Sequence, residues 1–173
     1  MVQDYWPSPI SMKAENVAIS IAGFCTVVFI ALVMTSNDAI PEGDNWQISN
    51  VCLDDHNSLD THNHVQLAII INETQIEIGP NIGIGDPGCN GMKGIHTHDD
   101  SGKLHIETPS PMPAPLGAFF EIWGESFDDQ EIMGHIADDE HEVVLTVNGE
   151  VSLLFEEYMM EDGDIIEIEY RQK

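Results

Sequence analysis

Basic residues are almost missing from this chain of 173 residues, in which 5 Lys and Arg stand against 31 Asp and Glu, a formal charge of −26 with histidine neutral. Such a polyanion is repelled by a duplex and has no basic patch to displace its counterions, which argues against nucleic acid as a partner. The chain also has no Gly-x-Ser-x-Gly elbow, no Walker loop, no dinucleotide-binding glycine fingerprint and no Cys-x-x-Cys pair. The usual signatures of serine hydrolases, nucleotide-dependent enzymes and dithiol redox proteins are therefore absent. Ser101, between acids and near histidines, reads as an ordinary turn serine rather than a nucleophile. Internal repeats and low-complexity tracts are lacking too. What is present is a hydrophobic content of 42%, enough for a packed core and too much for a disordered acidic tail. The length allows one ordinary domain with an appendage.

The appendage is legible in the run VAISIAGFCTVVFIALVM, residues 17–34, which carries no charge and no polar stripe. As a helix it covers most of a hydrocarbon layer of about 30 Å, and it is read as a single transmembrane span. A cleaved signal peptide is the rival reading. The long, barely basic stretch before it and the lack of a small-x-small site after it favour a retained anchor. Lys13 is the only basic residue near either end, which places residues 1–16 in the cytoplasm and the remainder outside. All but two of the acids lie beyond the span, so the outer part should stand away from anionic headgroups. Cys25 falls inside the span, leaving Cys52 and Cys89 outside. Two readings of that pair remain open: a disulfide suited to an oxidising compartment, or Cys89 as a soft metal ligand.

Residues 35–60 are polar, with Pro41, Gly43 and a run of Asn and Asp, and read as a linker and entry loop before a domain at 61–173. The stretch 64–71 alternates and then becomes apolar, and 75–78 alternates again after Asn-Glu-Thr, which predicts a hairpin. GPNIGIGDPGCNGMKG is too rich in glycine and proline for a regular element and reads as a site-forming loop. A second hairpin, 95–98 with 103–107, closes around Asp99-Asp100-Ser101-Gly102. Leu116, Phe119, Phe120 and Trp123 mark one face of a short helix directed into the core. After an acidic loop come strands at 143–147, 150–155 and 164–170, with Asn-Gly and Asp-Gly turns. The expected class is α+β, an N-terminal transmembrane helix followed by a β-rich, β-grasp-like domain with one short helix.

Five of the eight histidines fall in two compact groups, His62 with His64 and His96, His98 with His105. Residues i and i+2 of a strand face the same way, so each His-x-His brings two imidazoles together. In the second hairpin His96 is expected opposite His105 and His98 opposite Lys103, all on one face. Opposed Cβ atoms about 4.5–5.5 Å apart let two imidazoles share one metal. Neutral imidazole suits copper, zinc, nickel and iron. The candidate ligands are thus His96, His98 and His105, with His62, His64 and Cys89 as additions. A thiolate from Cys89 would favour copper, and Asp99 or Glu107 could orient a ligand histidine. Against this stands the plain reading that histidines alternate on half-exposed strands without binding, and that Lys103 repels a cation. His135 and His141 are expected to be solvated in the acidic loop.

At IHTHDDSGKLHIE, followed by LGAFFEIWG, the sequence resembles a family of membrane-anchored or exported bacterial and archaeal domains. The shared features are an upstream His-rich strand, a cysteine before His-Thr-His-Asp, and the Ser-Gly-x-Leu-His-Ile-Glu hairpin, over roughly 62–170. The acidic outer domain on one helix is also similar to proteins of ammonia-oxidising archaea, whose extracytoplasmic chemistry relies on copper. That resemblance implies a peripheral, accessory place beside a membrane ammonia monooxygenase. The combined expectation is a single-pass membrane protein whose outer domain binds a metal, copper first and zinc as the alternative, for metal delivery or as an accessory subunit. A structural interaction module and a metal-dependent enzyme are the rival readings, and a binding role is expected over a catalytic one.

Overall fold

The computed structural model describes residues 46–57 and 59–173. The span at 17–34, the tail before it, Cys25 and the first part of the linker lie outside the described residues. Among the described residues no helix is long and apolar enough to cross a membrane.

In chain order the strands are β1 (Cys52–Leu53), β2 (Thr61–Ile71), β3 (Thr74–Ile76), β4 (Met92–Lys93), β5 (Ile95–His96) and β6 (Lys103–Thr108). The helix α1 (Leu116–Trp123) follows, and then β7 (Glu131–Ile132), β8 (His135–Ile136), β9 (His141–Val147), β10 (Glu150–Ser152) and β11 (Ile165–Gln172). The domain is α+β, a β-rich unit with one α-helix among the described residues. Its main sheet is mixed, ordered β10-β9-β11-β2-β6-β5, with β3 as a further partner of β2. The long strand β2 organises it. The first half of β2 pairs antiparallel with β6, from Thr61 opposite Thr108 to Gln66 opposite Lys103, and its last three residues pair with β3. Along its other edge β11 runs parallel, from Ile165 opposite Gln66 to Tyr170 opposite Ile71.

Alternation decides the two faces. Val65, Leu67, Ile69 and Ile71 of β2, Leu104 and Ile106 of β6, and Leu145, Ile166 and Ile168 are buried in one cluster with Leu116, Phe119 and Phe120 of α1. Trp123 packs against this core while staying partly exposed. Gly124, at φ 80°, ends the helix by donating its N–H to Phe120 O at 2.8 Å, the left-handed stop that glycine takes without a Cβ penalty. Gly102 has a positional role in the second hairpin. Its φ is +77°, and a Cβ there would collide with the Leu67 carbonyl. That closeness lets Gly102 O accept the Leu67 N–H at 2.8 Å, tying the turn to β2.

Several expected elements are shorter or interrupted, for local reasons. The ladder of the second hairpin stops at His96 because Thr97 is claimed by the glycine-rich loop. Its N–H donates to Ile82 O, its hydroxyl donates to Gly79 O, and its carbonyl accepts the Asn81 N–H. His98 is therefore not paired with Lys103, whose ladder partner Gln66 lies on the other edge of β6. The strand expected at 150–155 ends at Ser152, where the hydroxyl accepts the Leu154 N–H and turns the chain into a 3-10 turn at Phe155–Glu157. The glycine-rich loop and the entry loop each contain a short strand, β4 and β1, paired with one another. The acidic loop contains the β7–β8 pair. His141 is half-buried at the start of β9 and its ring stacks on Tyr170, with centroids 5.3 Å apart, so the solvated position expected for it is corrected. His135 is exposed, as its loop position implies, with its ring 5.3 Å from that of Tyr170.

Candidate metal centre

The parity that buries Val65, Leu104 and Ile106 on one side places His62, His64, His105 and Glu107 on the other. In register, His62 lies opposite Glu107 and His64 opposite His105. His96 of β5 lies opposite His105 from the other edge. Three adjacent strands thus present a row of imidazoles with β6 in the middle. His98 follows from the turn after β5. His56, from the loop after β1, brings its ring to within 5.6 Å of His98 and 6.2 Å of His96, centroid to centroid.

The ring nitrogens converge in two sets that share His105. His96, His98 and His105 each offer a nitrogen within 4.8 Å of the others, and so do His62, His64 and His105. His96 is completely buried, and its Nδ1 lies 3.0 Å from Lys93 O. Only a protonated Nδ1 can donate to a carbonyl, so the lone pair of His96 is on Nε2. That Nε2 faces His98 Nε2 at 3.3 Å. A tetrahedron of nitrogens about 2.0–2.1 Å from zinc has edges of about 3.3 Å, so the pair is spaced as two ligands of one ion. His64 Nε2 and His105 Nδ1 are 3.1 Å apart, again a ligand-edge distance.

Glu107 is the acidic partner of the face and is fully buried. Its Oε2 is 2.7 Å from His56 Nδ1, while Oε1 is 3.2 Å from His62 Nε2 and 3.8 Å from His105 Nδ1. Oε1 makes no hydrogen bond. Asp99, the other carboxylate considered as an orienting group, is exposed and accepts the Ser101 N–H at 3.0 Å, so it serves the turn. Lys103 shares the face by parity but is exposed, and it helps hold the neighbouring Asp99 carboxyl below its usual range after that group's hydrogen bonds to Ser101.

Cys89 is removed from the ligand set. Its sulfur is bonded to Cys52, with Cα atoms 5.6 Å apart, and a disulfide sulfur offers no thiolate. The argument for copper from a soft ligand goes with it. The bond instead staples β1 to the loop before β4, fixing the strands that lead into His56 and His96. His56 is the residue that sequence reading misses, since it sits in a polar loop with no periodicity to mark its direction.

The electrostatics favour the ligand form of the rings. Burial, and then the nearby imidazoles of His64, His98 and His96, push the His105 pKa down to about 4. Burial lowers that of His96 as well. His105 therefore stays neutral in mildly acid solution, the state a metal requires, and burial biases His96 in the same direction. The same shifts make a stability prediction. The unfolded chain takes up the His105 proton near pH 6.5, whereas the folded chain resists until about pH 4. The metal-free protein should therefore lose stability as pH falls from 6.5 to 4 and change little through this group below that. Urea midpoints measured across the window should decline, with a shallower slope for His105→Gln. A flat profile would contradict the burial of the ring.

Comparison with family models, with curated proteins and with solved structures returned no match. The fold and the site themselves define the class, an α+β domain whose sheet carries a histidine-rich face backed by a buried carboxylate.

Proposed function

We propose that this chain binds a divalent transition-metal ion through His96, His98 and His105. Copper is the favoured ion, zinc the alternative, and the role is metal delivery or accessory service to a membrane complex such as an ammonia monooxygenase. The observation that carries the reading is the approach of His96 Nε2 to His98 Nε2 at 3.3 Å beside His105. The tautomer of His96 supports it, because its free lone pair is directed at that meeting point. An all-imidazole set accepts both ions, and copper is preferred by the general order of divalent affinities. The domain is read as β-grasp-like, on the strength of the parallel central pair β2 and β11 and the helix crossing between β6 and β9. The charge-free run at 17–34 supports a single-pass anchor, and the Cys52–Cys89 bond supports an extracytoplasmic setting.

The test is metal content of the purified full chain after loading with Cu(II) or Zn(II) and dialysis. Wild type should retain metal, and His98→Ala should retain half as much or less. Near-zero metal in wild type, or equal metal in the two proteins, would remove the proposal. A second reading, an interaction module, draws on the exposed apolar side chains Val151, Leu153 and Ile165 around the β10 end of the sheet, exposed by 69%, 82% and 63%. In an accessory subunit the two roles coexist.

A further inference from the structure

The histidine face holds more donors than one ion can use. Six imidazoles and the Glu107 carboxylate converge there, whereas zinc sites take four ligands and copper sites on nitrogen and oxygen are of tetragonal geometry. The donors also do not form one group. His96 and His98 lie on the β5 side and His62 and His64 on the β2 side, and only His105 belongs to both sets. Its ring is situated to serve each. Nδ1 is 3.1 Å from His64 Nε2 and 3.8 Å from Glu107 Oε1. The rings of His98 and His96 lie 4.6 Å and 5.4 Å away, centroid to centroid.

The Glu107 oxygen is the independent sign of a cation on the β2 side. Oε1 belongs to a side chain with no exposure, makes no hydrogen bond, and is aimed between His62 Nε2 and His105 Nδ1. A buried carboxylate oxygen that accepts no hydrogen bond costs free energy, even with imidazoles beside it. A metal ion held by His62, His64 and Glu107 would satisfy it. His56 Nδ1, 2.7 Å from Oε2, fixes the carboxylate and is a positioning residue.

We infer that the face is a dinuclear site for divalent transition-metal ions, one at His96 and His98 and one at His62, His64 and Glu107, with His105 joining them through one ring nitrogen each. Coordination through both nitrogens releases the remaining ring proton to solvent. The inference rests on the proposed binding at His96, His98 and His105, and adds a second ion with a mixed nitrogen and oxygen donor set.

The experiment is a Cu(II) titration of the full chain, followed by bound-metal analysis and electron paramagnetic resonance. Wild type should saturate at two equivalents, with a spin signal well below its copper content because the ions couple through the shared ring. The His62→Ala/His64→Ala double variant and the exposed-site variant His98→Ala should each saturate at one equivalent with a full signal. Circular dichroism confirms that each variant is folded. One equivalent in wild type, undiminished by His62→Ala/His64→Ala but lost in His98→Ala, would overturn the second site and leave the first standing. Two equivalents with a full spin signal would overturn the shared ring. No bound copper in any protein would overturn the metal reading itself.

Discussion

Exchanging His105 for alanine is expected to weaken Cu(II) or Zn(II) binding more than any other single substitution on the histidine face. Loss of a group that merely orients a ligand lowers metal affinity by about 10- to 100-fold. His105 is a proposed ligand itself and belongs to both nitrogen sets, so a loss beyond about 100-fold is expected. Competition with a chelator of known affinity measures it. Protonation of the half-buried ring is also disfavoured in the metal-free protein, its pKa held down to about 4 by burial and by three neighbouring imidazoles. His105→Ala should consequently leave the metal-free fold intact and reduce its sensitivity to mild acid. A loss under tenfold would place the metal elsewhere, and a collapsed variant fold would mark His105 as structural.

Opening the Cys52–Cys89 bond is expected to produce the largest fall in stability. The cysteines are 37 residues apart in sequence, and closing a loop of that size restricts the unfolded chain by about 4 kcal/mol on the loop-entropy model. For a domain of this size such a loss lowers the melting temperature by about 10 °C or more. The effect should extend to the site. β1 precedes the His56 loop, and Lys93 of the paired β4 supplies the carbonyl that accepts the His96 Nδ1 proton. Cys52→Ser/Cys89→Ser should therefore melt earlier and hold metal more weakly than wild type. Equal melting temperatures with and without reductant would contradict the staple.

The part of the site visible in the sequence is the part governed by strand periodicity. Alternation alone puts His62 with His64, and the Asp-Ser-Gly turn alone puts His96 opposite His105, the register found in the ladder. The meeting of the two groups is different. It depends on β2 pairing with β6, forty residues away, and no local pattern specifies which strand takes that edge. Glu107 could be named as an orienting carboxylate, but its contacts with His56, His62 and His105 follow only from that pairing. His56 depends on a loop held by β1. The second hairpin is shorter than its alternation implies, because the pattern continues through Thr97 while the hydrogen bonds of that residue are taken by the glycine-rich loop. The helix and core follow local periodicity. Leu116, Phe119 and Phe120 recur at helical spacing, and nothing competes with their burial.

Imidazole nitrogens of β5, β6 and the turn after β5 are proposed to meet at a metal ion. Anomalous diffraction from crystals of the metal-loaded chain, recorded on both sides of the absorption edge, tests it most directly. A peak bounded by His96 Nε2, His98 Nε2 and a ring nitrogen of His105, with no sulfur in contact, is expected. A peak confined to the acidic segments around 127–142, or none beside rings that keep these distances, would contradict it.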